Sequence, residues 1–117
     1  MISLRDLKTQ IEKDSKNWSV HLMDFVDDFR YYKDLSSLSE PFPQKEDRWA
    51  ALLASVAETL CQEIGASAPR WLASVPASKE PWFVSGMENL KAIALAESPL
   101  HFRIRKIFVT ENFLSRV

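Results

Sequence analysis

The sequence predicts a mainly α fold, a compact helical bundle with a long, partly irregular C-terminal arm, organised as a single helical domain over residues 1–117. Three observations carry this expectation. Large apolar residues recur at the spacing of a helix face in several separate stretches. Only two glycines are present, which argues against a turn-dense all-β fold and against glycine-rich phosphate loops. The 117 residues are 46% hydrophobic and include four tryptophans and seven phenylalanines, which supply large core pieces. A domain of this size buries about two-thirds of the surface its unfolded chain exposes.

The first predicted helix covers residues 3–16. Ser3 followed by Asp6 resembles a capping box with Asp in place of Glu, and Leu4, Leu7 and Ile11 repeat at helical spacing among charged residues. The second covers residues 19–33. Trp18, Leu22, Phe25, Val26, Phe29 and Tyr32 line one face, and Asn17 or Ser19 can cap it. Residues 34–45 read as a loop, because Ser36, Ser37 and Ser39 are turn-prone and Pro41 and Pro43 each forbid a regular helix.

The third helix, residues 45–64, has the clearest stripe: Trp49, Leu52, Leu53, Val56, Leu60 and Ile64. Ala50, Ala51, Ala54 and Ala57 favour helix and admit close neighbours. Gly65 supplies a left-handed stop. This helix is expected at the centre of the core, with Trp49, Leu53, Val56 and Leu60 buried against Phe25 and Phe29.

Beyond Gly65 the texture changes. Ser67, Pro69, Arg70, Trp71 and Leu72 suggest one helical turn with proline near its start. Residues 75–81 contain two prolines and read as loop. Trp82, Phe83 and Val84 form an apolar anchor suited to pack over the third helix. A further helix is expected over residues 87–96, with Leu90, Ile93, Ala94 and Leu95, and Pro99 ends it.

Residues 98–117 set Arg103, Arg105, Lys106 and Arg116 among Leu100, Phe102, Ile104, Ile107, Phe108, Phe113 and Leu114. So many large apolar groups stabilise only when removed from water, so this arm is expected to be docked. Residues 102–105 alternate as a half-buried strand would, but only residues 82–85 offer a partner, and an isolated pair of strands is marginal. The preferred expectation is irregular chain followed by a short terminal helix over residues 110–116, capped by Thr110 with Glu111 near its start.

The formal net charge of −1 conceals an asymmetry. Residues 1–65 carry 8 Lys+Arg against 12 Asp+Glu, a net −4, while residues 66–117 carry 7 against 4, a net +3. Attraction between the two halves within the fold is the simpler reading; a basic surface offered to an acidic partner or to nucleic acid is the sharper one. Arg103, Arg105, Lys106 and Arg116 are thus the candidate contacts for a partner protein or nucleic acid, with pairing of the arginines to Glu97, Glu111 or the acidic front half preferred as their role.

No catalytic constellation stands out. Asp24, Asp27 and Asp28 share a helix face, but it lies opposite the apolar stripe, where a solvated face belongs, and the rest of a metal cage is missing. His21 and His101 lack metal-binding spacing. Cys61, the only cysteine, flanks the apolar stripe and reads as a small core residue; it forms no internal disulfide and favours a reducing compartment. Ser85-Gly86 has no nucleophile-elbow context. No cofactor or metal is expected, and enzymatic activity is unsupported. The first residues alternate charge where a signal peptide would be apolar, and no apolar run approaches a membrane span, so the expectation is cytoplasmic, with no membrane partner.

The C-terminal half carries Pro81-Trp82-Phe83, then Leu90-Lys91-Ala92, then Glu97-Ser98-Pro99, then Phe102, Arg103, Arg105, Ile107, Phe108, Val109, Asn112, Leu114, Arg116 and Val117 at fixed spacing. Over residues 71–117 this pattern resembles the ending of a group of small bacterial proteins of unassigned function. The resemblance implies no activity, cofactor or binding residue. It suggests an accessory partner encoded beside another gene, such as the antitoxin of a toxin–antitoxin pair. The expected function is protein–protein interaction without chemistry, with a nucleic-acid-binding module using the basic arm as the alternative.

Overall fold

The structure, a computed structural model, describes residues 1–42, 47–85, 90–110 and 113–115. Helix α1 (Leu4–Lys13) starts where Ser3 turns its hydroxyl to accept the Asp6 N–H at 3.1 Å, satisfying one of the donors a helix start leaves unpaired. Leu4, Leu7 and Ile11 are buried, so the short amphipathic stripe points inward. A 3₁₀ turn, Ser15–Asn17, leads into α2 (Trp18–Tyr32). Asn17 sits at the N-cap but gives its amide to the Asp14 carboxylate at 3.2 Å and makes no side-chain cap. Leu22, Phe25, Val26 and Phe29 are buried. The expected stripe frays at its ends, since Trp18 is half-buried and Tyr32 is exposed.

The loop after α2 does more than connect. Asp34 accepts the Ser36 N–H at 2.9 Å and starts a 3₁₀ turn, Leu35–Leu38, which delivers Leu38 to the core, followed by Phe42. The start expected for the third helix at Lys45 lies outside the described residues. Asp47 caps α3 (Arg48–Glu63) by accepting the Trp49 N–H at 2.9 Å. As expected of a central helix, α3 is covered on several sides: Leu52, Leu53, Val56 and Leu60 are buried, and so are Ala50, Ala51, Ala54 and Ala57, whose small side chains let neighbours approach. Trp49 and Ile64 are only partly covered and pack against this core from its edge. Gly65 ends the helix at φ +66, with Gly65 N–H bonded to Gln62 O at 3.1 Å and Ala66 N–H to Cys61 O at 2.9 Å. This pair of bonds is the Schellman arrangement, which requires a left-handed residue at that point.

Helix α4 (Arg70–Ala73) follows Pro69 and is tied to the 3₁₀ turn by the Trp71 indole N–H, which donates to Leu38 O at 2.8 Å. Strand β1 (Trp82–Phe83) comes next, then α5 (Lys91–Glu97), with residues 86–89, part of the expected helix, outside the description. The anchor at residues 82–84 does pack over α3: the Trp82 and Trp49 rings meet edge-on at 5.0 Å.

The arm departs from expectation in one respect. Residues following Pro99 are neither irregular nor strand but helix α6 (Leu100–Arg103), with Arg103 N–H bonded to Pro99 O and Ile104 N–H to Leu100 O, each at 3.0 Å. Phe102 and Arg105 face inward while Arg103 and Ile104 face out, a spacing of three that replaces the expected alternation. Strand β2 (Ile107–Phe108) then pairs in parallel with β1, Trp82 opposite Ile107 and Phe83 opposite Phe108. The partner that is too short to justify a strand over residues 102–105 is therefore used, but by the strand that starts at Ile107. Of the expected terminal helix, Glu111, Asn112 and Arg116 lie outside the described residues, and Phe113–Leu114 forms a turn.

Phe102, Ile107, Val109 and Leu114 are buried, and Phe113 packs against the same core as α1, α2 and α3. The arm is docked. Among the described residues helix accounts for 61% and strand for 4%, a mainly α fold. The radius of gyration is 13.3 Å, near the ~13 Å of a folded chain of about 100 residues. Among the described residues no helix is long and apolar enough to cross a membrane.

Candidate interaction surface

Arg105 was the central member of the basic group singled out in the sequence, and it lies inside the protein. It is 3% exposed, and its guanidinium donates to the Glu58 carboxylate, to Leu72 O at 2.8 Å, to Val75 O at 3.4 Å and to His101 O at 3.2 Å. Five N–H donors in a fixed fork suit this task, closing α3, α4 and the arm around one charge. The pairing with an acidic residue of the front half is the role preferred from sequence, and it removes Arg105 from any surface a ligand could touch.

The remaining basic candidates are dispersed by this geometry. Arg103 is exposed and bends back over the end of α5, donating to Ala96 O at 3.2 Å and Ser98 O at 3.1 Å. These are carbonyls at a helix C-terminus, where a cation is favoured. Lys106 is exposed at φ +61 in the turn between α6 and β2. Arg116 lies outside the described residues.

The same turn of chain leaves a different feature on the outside. Helix α5 reads Lys-Ala-Ile-Ala-Leu-Ala-Glu, yet Ala94 is its only buried residue. Ile93 and Leu95 are 45% and 49% exposed, and on α6 and just after it Leu100 and Ile104 are 67% and 58% exposed. The two helices are pinned at their elbow by Ser98, which is buried, donates to Ala94 O at 2.5 Å and accepts the Val109 N–H at 2.9 Å. Arg103 braces the same elbow. Ile93 and Leu95 lie on either side of buried Ala94, while Leu100 and Ile104 are one helical turn apart. Single exposed apolar residues are ordinary, whereas adjoining ones mark a candidate interaction surface.

Beside Leu100 runs a groove of ≈ 620 Å³, walled by Gly65, Ala66, Ala68 and Pro99. Its polar groups are those of Glu58, Gln62 and His101. The His101 Nε2 is 3.1 Å from Gln62 Oε1, and its Nδ1 is 3.6 Å from Glu58 Oε1. Cys61 also borders the groove, but burial, with a smaller contribution from the Glu58 carboxylate, pushes its thiol up, away from the reactive thiolate. This cluster was not legible in the sequence, because Glu58 and His101 lie on separate helices. Its carboxylate is already committed to Arg105, so it reads as a brace for α6 and not as an acid–base pair.

The acidic residues of α2 are apart from all this. Asp28 accepts the Ile2 N–H at 2.7 Å, and Asp24 and Asp27 are exposed on the face away from Phe25 and Phe29. His21 pairs with Asp14 at 3.0 Å, and this hydrogen bond, with those from Asn17, holds the Asp14 carboxyl below its ordinary value. A second, smaller cleft of ≈ 290 Å³ involves Arg48, Lys79, Pro81 and Trp82. There the Arg48 guanidinium lies over the Trp82 ring at 4.7 Å, so the ring face is already occupied.

No family model, curated protein or solved structure matches the chain. The functional reading rests on this surface.

Proposed function

We propose that the protein is a non-catalytic bacterial accessory protein of the cytoplasm that acts by binding another protein, as an antitoxin binds its toxin. The observation that supports this reading is the exposure of large aliphatic side chains on α5 and α6, Ile93, Leu95, Leu100 and Ile104, with Leu100 and Ile104 one helical turn apart on a braced elbow. Their exposure is unfavourable in isolation at roughly 25 cal/mol per Å² of apolar surface, and covering them with a partner recovers that energy. The resemblance of residues 71–117 to small bacterial proteins belongs to the same proposal.

Cross-linking in the native cells, followed by isolation and reconstitution from purified components, tests it. A stoichiometric complex with a second protein, reproduced from the pure parts, is the expected result. A chain that stays alone, with no second protein reconstituting on it, would contradict the reading.

One observation favours a second reading, binding of nucleic acid. Arg48 and Lys79 line the Trp82 cleft together, beside the aromatic ring. That site would show itself by low-micromolar retention of random RNA or DNA that weakens steeply with salt. The burial of Arg105 subtracts the main residue on which this alternative was built.

A further inference from the structure

Resting on the proposed protein-binding function, we infer that the exposed ridge of α6 receives an amphipathic helix with an acidic flank, its apolar stripe laid over Leu100 and Ile104 and into the groove beside Leu100. The apolar part of the argument is geometric. Leu100 and Ile104 are one helical turn apart, joined by the Ile104 N–H to Leu100 O bond, so they present one ridge. The groove at the foot of that ridge has a wall of small residues, Gly65, Ala66 and Ala68, open enough to admit a side chain from a partner. An apolar ridge with a shallow trough is the surface a helix-in-groove partner requires.

Charge selects among occupants. Arg103 is exposed and bound only to uncharged carbonyls, and Lys106, exposed in the turn two residues after Ile104, has no side-chain partner among the described residues, so the chain next to the ridge carries two cations with no acidic partner. A second copy docking face to face would bring Arg103 and Lys106 against their own counterparts, which opposes association. Carboxylates on the flank of an incoming helix meet the same two residues favourably.

The test uses the full-length, uniformly labelled chain and two synthetic helical peptides with the same leucine stripe, one carrying glutamate and the other lysine on its flank. The glutamate peptide is expected to shift amide resonances of residues 91–106 and of the groove wall, and to bind at least about ten-fold more tightly than the lysine peptide at low salt. The paired variant Leu100→Ser/Ile104→Ser, whose melting temperature should match the parent because both side chains are exposed, is expected to lose that binding. Arg103→Gln/Lys106→Gln should keep weak binding and lose the preference for glutamate.

Equal affinity for the two peptides, or shifts confined elsewhere, would overturn the inference. So would co-sedimentation with phosphatidylglycerol vesicles that depends on Leu100 and Ile104, or a concentration-dependent dimer abolished by Ile104→Ser, each of which assigns the face to another occupant. If the complex isolated from native cells survives the Leu100→Ser/Ile104→Ser change, this site is wrong while the protein-binding function stands.

Discussion

Arg105 and Glu58 show how a single charged residue can be structural where its type suggests a surface role. Removing one partner strands the other in a desolvated place, so Arg105→Gln should destabilise the fold by about 3–5 kcal/mol. Replacing both, as Arg105→Met/Glu58→Leu, should recover part of that loss, since two apolar groups leave no unpaired charge there. Urea unfolding of Arg105→Met, Glu58→Leu and the paired variant checks this, and a paired loss equal to the sum of the two single losses would contradict it. Cys61 gives a second test at this scale. Its thiol is buried and its proton held tightly, so a thiol reagent near neutral pH should label it only after unfolding. Rapid labelling of the native protein would show the groove to be deeper or more open than described.

At the scale of the element, the start of α1 and the stop of α3 are legible because their signals are local: Ser3 and Gly65 act on backbone groups within a few residues. The Asp47 cap of α3 and the end of α1 at Lys13 are not singled out by the sequence pattern. Gly65→Ala should cost about 1–2 kcal/mol through backbone strain alone, since φ is +66 and no atom lies within 4 Å of the added methyl group. Lys8 was not legible, because its partners come from two helices. Its ammonium meets Glu12 on α1 and Asp47 at the cap of α3, each at 3.0 Å. Burial acts to lower the Lys8 pKa, but the hydrogen bonds that its ammonium donates to Asp47 and then Glu12 outweigh it, and the net shift is upward from 10.5. A raised folded-state value means the contribution is fully present below the unfolded value and is lost as pH rises through the folded one. The stability difference between the parent and Lys8→Met should therefore hold constant up to about pH 10 and shrink above it. A difference that stayed flat to about pH 12 would remove the ion pairs from the account.

Across the whole molecule, the sequence was read correctly wherever an apolar stripe and its charged complement agreed, as in Leu4/Leu7/Ile11 and the leucine stripe of α3. It was misread where a charged residue is buried. With Arg105 assumed to face water, Phe102 and Ile104 alternate and suggest a strand; with Arg105 inside, Phe102 and Arg105 form a three-residue period and the chain is helical. Ile104, grouped in the sequence with the apolar residues of the docked arm, is instead exposed, and the ridge it forms with Leu100 is visible only in the fold. Surfaces made by consecutive short helices are read poorly from one sequence, since only the packed fold reveals which aliphatic groups are left out.

The arm is nevertheless core on its other side. Deleting residues 100–117 takes Phe102, Ile107, Val109 and Leu114 from the interior, along with the Arg105 clamp and the Arg30 N–H bond to Leu114 O at 2.6 Å. The shortened chain should lose its cooperative thermal transition. A retained transition at an unchanged temperature would mean that the front half folds alone.

The most direct test of a two-sided arm is urea unfolding of Phe102→Ala and Ile104→Ala, measured together. Two residues apart, they would lie on one face of a strand but lie on opposite sides of the observed turn of helix. Phe102→Ala should cost about 3–5 kcal/mol, the loss of a buried aromatic ring, while Ile104→Ala should stay within about 0.5 kcal/mol of the parent. Comparable losses from both, or a larger loss from Ile104→Ala, would contradict the placement of α6 and with it the exposed face.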